Sequence, residues 1–492
     1  MSENSLEPFL SWFQKYGGSV DADLVGFAMF PESEGGRGVV ALKDIPEAHV
    51  LFSIPRSLTL SIRTSSLPSR FGASAWQKMK LDQGWTGLIL CMMWETARGT
   101  SSKWLEYFDT LPTHFDTPMF WNQADLTELA GTSVIEKLGR EEAEQSYTEK
   151  LLPAIQTRPD IFSPEQAEYY SLASYHLMGS RILSRSFSVE KWNSGEEENE
   201  NSNTPNSRAD EMDVDSSEGP EGAEEKIDES HHDEMEEEDE EDDSSDTAMV
   251  PMADMLNARY GSENARLFDD ENELRMISIK PIKAGEQIWN TFGDLPNSEL
   301  LRRYGHVDLL PLSKGGLGNP GDVVEIRADI AVSVTAQRHL SLTSESSQER
   351  IEWWLEEGGD DMFVLESDLE LPEPLISLIR LLLLEQGEWE TARRKGKPPK
   401  PKVDAVILSI VHDVLETRLK AYPTTLQEDE GKVSEQISTN VKHAIVVRMG
   451  EKRILHDTLM KVRDLQTQGN GKGVKKREGA EDSGSAQKRS RK

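Results

Sequence analysis

VPMADMLNARYGSENARL, residues 250–267, sets Asp254, Asn257 and Asn264 among apolar neighbours immediately after a long acidic tract. A buried Asp or Asn left without a partner costs about 1–3 kcal/mol. Asp254 and Asn257 are therefore either paired with other side chains, as in a cap or a turn, or matched by a ligand. Asn carries both a donor and an acceptor, which suits an amino-acid or purine edge. The residues alone leave both readings open.

The acidic tract that precedes this stretch carries most of the charge. Between Glu196 and Asp246 lie 25 acidic residues against Arg208 and Lys226, so about −23 of the formal net charge of −35 is concentrated there. Residues 194–247 have few large apolar side chains and strong self-repulsion, which predicts a disordered insert looping out of one domain. The remainder is only mildly acidic, so nucleic-acid binding by a broad basic face is excluded and small local patches are the only candidates. A chain of 492 residues accommodates two or three domains. Its single cysteine, Cys91, rules out a disulfide framework or a Cys-rich zinc site and fits a reducing compartment. The longest apolar run, Leu375 to Leu384, is broken by Arg380, and the N-terminal MSENSLEPFL lacks a basic and an apolar region. Neither membrane insertion nor secretion is expected.

Upstream of the tract, VVALKDI and VLFSIPRSLTL read as strands bounded by Gly and Pro. From Trp76 to about Arg185 the spacing is helical, as in WTGLILCMMWETARG and AEYYSLASYHLMGSRILSRSF. Downstream, LRMISIKPIKAGEQIWNTF reads as two strands with a turn at Ala284 and Gly285. Beyond Glu373, PLISLIRLLLLEQ, VDAVILSIVHDVLETRLKAY and VKHAIVVRMGEKRILHDTLMKVRDL carry helical spacing, with Pro398, Pro399 and Pro401 separating the first two. A mixed, β-rich domain interrupted by helices is expected, then an all-α domain. The final KKREGAEDSGSAQKRSRK places Lys475–Arg477 and Lys488–Lys492 around a ten-residue spacer. That pattern resembles a bipartite nuclear import signal; a solvated basic tail or a phosphate-binding role are the alternatives.

Common nucleotide and hydrolase signatures are missing: there is no GxxxxGK[ST], GxGxxG after a strand, HExxH or GxSxG. His231 and His232 stand inside the acidic tract and read as solvated. Three separated segments remain. In GGRGVVALKDI, Gly35, Gly36 and Gly38 would let a turn bring backbone N–H and C=O groups close to a ligand, or form an ordinary turn. In SRILSRSF, Arg185 stands beside apolar residues at a helix end, which also suits a surface position. The third is the opening stretch with its sequel GEQIWNTFGDLPNSELLRRYGHV.

In this order, EGGRGVVALKDI, WLEYFDTLP, ILSRSF, MADMLNA with NARL, GEQIWNTFGDLPNSELLRRYGHV and RLKAYPTTLQED resemble SET-domain protein-lysine methyltransferases of the Rubisco-methyltransferase-like class. Within it the chain resembles the fungal ribosomal lysine methyltransferase 4 branch and related animal nuclear enzymes. The resemblance implies an α+β fold: a β-rich SET domain over 22–305 with a helical insertion at about 75–185 and the acidic insert at about 194–247. A helical substrate-binding domain over 330–465 and a disordered basic tail from 466 would follow. It implies transfer of a methyl group from S-adenosylmethionine (SAM) to lysine. The backbone of Gly35, Gly36 and Arg37 would hold SAM, Arg185 would pair with its carboxylate, and Asn257 with the backbone of Ala258 would hold its amino-acid and adenine portions. Asp254 would lie near the incoming lysine, and Tyr304 would be the catalytic tyrosine and a SAM contact. Trp289 and Phe292 would line the lysine channel or simply pack in the core. No metal is required.

Two departures from the family pattern stand out: Asn257 is followed by Ala258 instead of the frequent His, and His306 replaces the usual Phe after Tyr304 and Gly305. The expected partner is a basic protein, ribosomal or chromatin-associated, met by a monomer in the nucleus and also in the cytoplasm, without direct nucleic-acid or membrane contact. The competing expectation is a catalytically silent SET-like module that recruits basic proteins through its acidic insert.

Overall fold

The computed structural model describes residues 6–31, 35–192, 245–339 and 342–478, the last ten as backbone. The acidic insert, apart from its last residues, and the end of the basic tail lie outside the described residues. The chain divides into two compact units, one built from 1–114 and 141–293, the other from 115–140 and 294–492.

Among the described residues, the first unit carries ten short strands: β1 (Ser19–Val20), β2 (Val25–Met29), β3 (Arg37–Ala41), β4 (Val50–Pro55), β5 (Ser186–Glu190), β6 (Ser245–Met249), β7 (Asn257–Ala258), β8 (Ala265–Asp269), β9 (Glu273–Ser278) and β10 (Gln287–Asn290). They form one sheet in the order β1-β4-β9-β8, a second in the order β2-β3-β10-β7, and the hairpin β5-β6. In β9, ELRMIS alternates so that Leu274, Met276 and Ser278 are buried, the period of two that makes a half-buried strand. The turn at Gly285, with φ +82°, has the left-handed backbone glycine tolerates. It does not fold β9 onto β10: β9 pairs with β4 and β8, whereas β10 pairs antiparallel with β3 and parallel with β7. RSLTL does not extend β4, because Arg56–Leu58 turns into a short 3-10 helix.

Two helices of the expected insertion matter most. Thr86–Arg98 is apolar nearly all round, with Leu88 to Trp94 buried, as a helix at the centre of a core must be. Leu172–Arg185 begins where the Ser171 side chain accepts from Ser174 N and ends directly at β5. Glu190, at the far end of β5, stands opposite Ser245 of β6. The described residues thus resume at Ser245, inside the span expected for the insert.

The second unit is mostly helical, not all-α. Besides the short pair β11 (Leu310–Pro311) and β12 (Leu317–Gly318), β13 (Val323–Arg327) and β14 (Met362–Glu366) form a five-pair antiparallel ladder. VVEIR and MFVLE alternate too briefly to stand out beside long helical runs, yet Val324, Ile326, Phe363 and Leu365 turn inward to the helical core. Helix Glu373–Leu382 buries Leu375, Leu378, Ile379 and Leu382, the i, i+3, i+4, i+7 stripe. Helix Ala405–Leu419 starts where Asp404 Oδ1 accepts from Val406 N and Ile407 N at 2.9 and 3.0 Å. The last helix runs from Thr439 to Glu478, past residue 466 where the basic tail was expected to begin; no proline interrupts it.

Candidate functional site

In the first unit, after β6, the chain passes through Met252, a buried non-glycine residue at φ +82°. It then makes a single 3-10 turn, Ala253–Met255, before β7. This turn buries Asp254 against the end of helix Leu172–Arg185. Arg185 Nη1 donates to the Asp254 backbone carbonyl at 2.6 Å and lies 3.9 Å from Asp254 Oδ2. Tyr107, fully buried and stacked on Trp12, donates its hydroxyl proton to Asp254 Oδ2 at 2.9 Å. Two polar atoms of this group, Asp254 Oδ1 and Arg185 Nε, are buried without a hydrogen-bond partner among the described residues. Each unmet atom costs desolvation free energy unless something else satisfies it.

The Gly35 turn supplies the opposite wall. Gly35 has φ +91°, and a Cβ on it would lie 2.4 Å from Asn257 Cγ. A Cβ on Gly38 would stand 2.3 Å from Gln287 Oε1. Gly35 therefore needs glycine for its backbone as well as for space, while a side chain at position 38 would displace the Gln287 and Asn257 amides. Asn257 Nδ2 donates to Arg37 O at 3.2 Å and to Gln287 Oε1 at 2.7 Å, so its amide braces the turn from within. Arg37 Nη2 donates to Thr110 O at 2.9 Å. A cavity of about 300 Å³ opens between these groups, bordered by Gly35, Arg37, Thr110, Pro112, Arg185, Asp254 and Asn257 with Met29 and Met255.

The electrostatics of this group are strained by burial. Burial raises the Asp254 carboxyl above its ordinary value, although Arg185, the Tyr107 hydroxyl and Arg37 oppose the shift. Burial also pushes the Tyr107 phenol well up, and the adjacent Asp254 adds to it. Arg37 is lowered by burial and by neighbouring Arg185. Arg181, one turn before Arg185, is lowered to about 10, chiefly by burial, and its Nε donates to Pro112 O at 3.0 Å. A site with an unmet guanidinium N–H, an unmet carboxylate oxygen and a glycine turn complements a ligand carrying both a carboxylate and an ammonium group, such as the amino-acid end of a larger molecule.

The structure therefore brings together Gly35, Arg37, Arg185, Asp254 and Asn257 around one cavity. Other expected residues stand elsewhere in the first unit. Ala258 pairs with Asn290 and Trp289 with Asn257 across the β7-β10 ladder. Arg259 lies over the Trp289 ring at 5.5 Å. Phe292 is half-buried just after β10, and none of these three borders the cavity. Tyr304 belongs to the second unit, where it ends helix Asn297–Tyr304 before Gly305 in a left-handed cap; its ring centroid is 6.0 Å from that of His306. Tyr107, Arg181 and Gln287 escaped the sequence reading. The i, i+4 spacing of Arg181 and Arg185, which puts both on one face of the helix, was a signal available in the sequence.

The SET domain family matches residues 36–293, and the family described as Rubisco LSMT substrate-binding matches residues 341–455. Ribosomal lysine N-methyltransferase 4 of Saccharomyces cerevisiae is 32% identical over 276 residues, 56% of this chain and 49% of that protein, so this match spans about half of that relative. The protein of the same name from Schizosaccharomyces pombe is 28% identical, covering 90% of this chain and 92% of its own. N-lysine methyltransferase SETD6 of Homo sapiens is 26% identical, covering 86% of this chain and 84% of its own. Among solved structures, Rubisco LSMT bound to sinefungin and monomethyllysine matches with a TM-score of 0.62 at 18% identity over 96% of this chain and 94% of that one, a likeness of fold. The chain belongs to the SET-domain family, in the class that joins a SET domain to a Rubisco LSMT-type substrate-binding domain.

Proposed function

We propose that this chain transfers a methyl group from SAM to the side-chain amine of a lysine in a basic protein. The observation that supports it most is the cavity where the Gly35 turn meets the unmet polar atoms of Arg185 and Asp254, in a chain of the SET family. Relatives named N-lysine methyltransferases match it over most of their length. Arg185 would pair with the carboxylate of the methionyl end, and the backbone of Gly35 to Arg37 would hold its neighbouring atoms. Asn257 serves by keeping that turn in place, and the backbone of Ala258 is read as an adenine contact. When bound, SAM supplies an electrophilic methyl on a sulfonium.

The rest falls to the protein. A free lysine amine has a pKa near 10.4, so its neutral form costs roughly 4–5 kcal/mol at pH 7, and apolar walls favour that form. Trp289 and Phe292 are assigned to those walls, where apolar surface and aromatic faces suit an alkyl ammonium. Tyr304 is assigned to orient the amine for in-line attack, the alignment on which the rate depends. The hydrogen bond from Tyr107 and the pairing with Arg185 assign Asp254 to fixing the Arg185 guanidinium rather than to meeting the lysine.

We place the target among ribosomal proteins, on the naming of the fungal relatives, and the enzyme in the nucleus, on the two basic clusters of the C-terminal stretch. Labelled SAM, incubated with the full chain and purified ribosomal proteins, should label a lysine in one of them. Tyr304→Phe should reduce transfer about a hundredfold or more while leaving SAM affinity within about threefold. Equal loss of both would misplace Tyr304, and labelling of histones alone would overturn the ribosomal target.

A further inference from the structure

The charge distribution leaves nucleic acid only small local patches, and the second unit carries one. Residues 393–402, RRKGKPPKPK, hold six cations and no acid in a chain of formal charge −35. Arg393 is engaged: Nη1 donates to Glu349 Oε1 at 2.6 Å, and its guanidinium lies 6.0 Å from the Trp389 ring. Arg394, Lys395, Lys397, Lys400 and Lys402 are exposed, and their side chains have no partner among the described residues.

These five cations sit on a backbone that is tied down. Helix Gln386–Lys395 ends at Gly396 in a left-handed cap, and Lys397 N reaches back to Ala392 O. Pro398, Pro399 and Pro401 fix φ through the next turn. Ser377 Oγ donates to Pro399 O at 2.5 Å, and Arg380 Nη1 donates to Lys402 O at 2.9 Å, so helix Glu373–Leu382 holds the segment by its carbonyls. The carbonyls are spent inward and the charges face water. Cations in the last helical turn complement the helix dipole, which accounts for Arg394 and Lys395 but not for Lys397, Lys400 and Lys402 beyond it. Glu357 Oε2 stands 3.3 Å from where a Cβ on Gly396 would lie, and the five cations outnumber that acid, an excess of positive charge that a polyanion matches. Between Arg394 and Lys402 the apolar side chains are Pro398, Pro399 and Pro401, and no aromatic or long aliphatic side chain is available to enter a lipid surface.

We propose that residues 394–402 are a docking strap for the phosphate backbone of RNA, contacted without reading its bases. The test uses the full chain and a labelled oligouridine of about 20 nucleotides, titrated by fluorescence anisotropy across salt concentrations. A variant with Arg394, Lys397, Lys400 and Lys402 changed to Ala should bind at least about tenfold more weakly at about 50 mM salt. The slope of log K against log salt should flatten by about 3, since each phosphate contact to a single strand contributes roughly 0.7. No binding by the parent chain, or an unchanged slope in the variant, would overturn the proposal. So would binding of oligoglutamate or anionic vesicles as tight as that of oligouridine. All four positions are exposed, so the variant should unfold at the parent's temperature. Its methyl transfer to a short lysine peptide should be unchanged, which keeps this test separate from that of the reaction.

Discussion

Arg185 is held at one end and open at the other: Nη1 is fixed on the Asp254 carbonyl while Nε is buried and unmet. If that N–H meets a ligand carboxylate, Arg185→Ala removes a charge-assisted bond of about 1.5–3 kcal/mol, a loss of roughly ten- to hundredfold in SAM affinity. Arg185→Lys keeps the charge but not the planar fork and should recover only part. Calorimetric titration of SAM into both variants decides it; unchanged affinity would remove Arg185 from the site. Asp254 gives a prediction of opposite sign. Its folded-state pKa lies above the ordinary 3.8, so the carboxylate opposes folding once ionised. That cost is absent below the unfolded pKa and grows as pH rises through the folded one. Asp254→Asn keeps the acceptor for Tyr107 and should make the protein more stable at neutral pH, with the gain vanishing as pH falls toward about 4, while SAM binding weakens. Urea unfolding at two pH values checks it, and a less stable variant at neutral pH would refute it. Asp254 and Asn257 were legible as residues needing partners because polar residues in apolar runs demand them, whereas Arg185 read equally well as a surface residue and only the family resemblance drew it to the site. Tyr107 and Gln287 were not, since what makes them matter is contact with residues 147 and 30 positions away.

At the scale of elements, periodicity located the buried helices Thr86–Arg98 and Ala405–Leu419 because each carries enough turns to reveal its spacing. It failed for β13 and β14, five residues each, whose pairing is set by partners far along the chain. It located the turn at Gly285 and the strands on either side, but not that those strands join different sheets. Long-range register is not written in local pattern. The second unit also uses a charged tie that composition could not disclose. Arg418, on helix Ala405–Leu419, donates to Glu325 O of β13 and to Gly131 O, both at 2.8 Å, and to Glu451 Oε2 on the last helix at 3.2 Å. Burial lifts Glu451 to about 7, against the opposing effects of Arg418 and the Tyr422 hydroxyl. Removing one partner of a buried pair strands the other, so Arg418→Ala should cost about 3–5 kcal/mol. Because the Glu451 pKa is raised, its ionised form destabilises as pH rises through about 7 and not below the ordinary 4.5. Glu451→Gln in the Arg418→Ala background should therefore restore stability at about pH 8 and little at about pH 5. Equal rescue at both would show that the charge of Glu451 is not what Arg418 compensates.

At the scale of the whole molecule, most of the net negative charge lies in one segment, while the fold around it closes without it. Glu190 and Ser245 face each other across the β5-β6 hairpin, so residues 193–244 connect two points already adjacent in space. A short Gly-Ser loop between Trp192 and Ser245 should satisfy the same connection, since hairpin loops need only a few residues. The shortened chain should keep a single cooperative unfolding transition and full methyl transfer to a short lysine peptide. Its encounter with a basic protein should change. About 23 units of net negative charge on one segment draw a cationic partner over distances set by the Debye length, roughly 10 Å at 0.1 M salt and 3 Å at 1 M. Deletion should therefore slow association about tenfold at low ionic strength and have no effect near 1 M salt, as stopped-flow mixing would record. A rate that is the same at every salt concentration with and without the segment would show that it does not steer substrate, and loss of the cooperative transition would show that the fold depends on it.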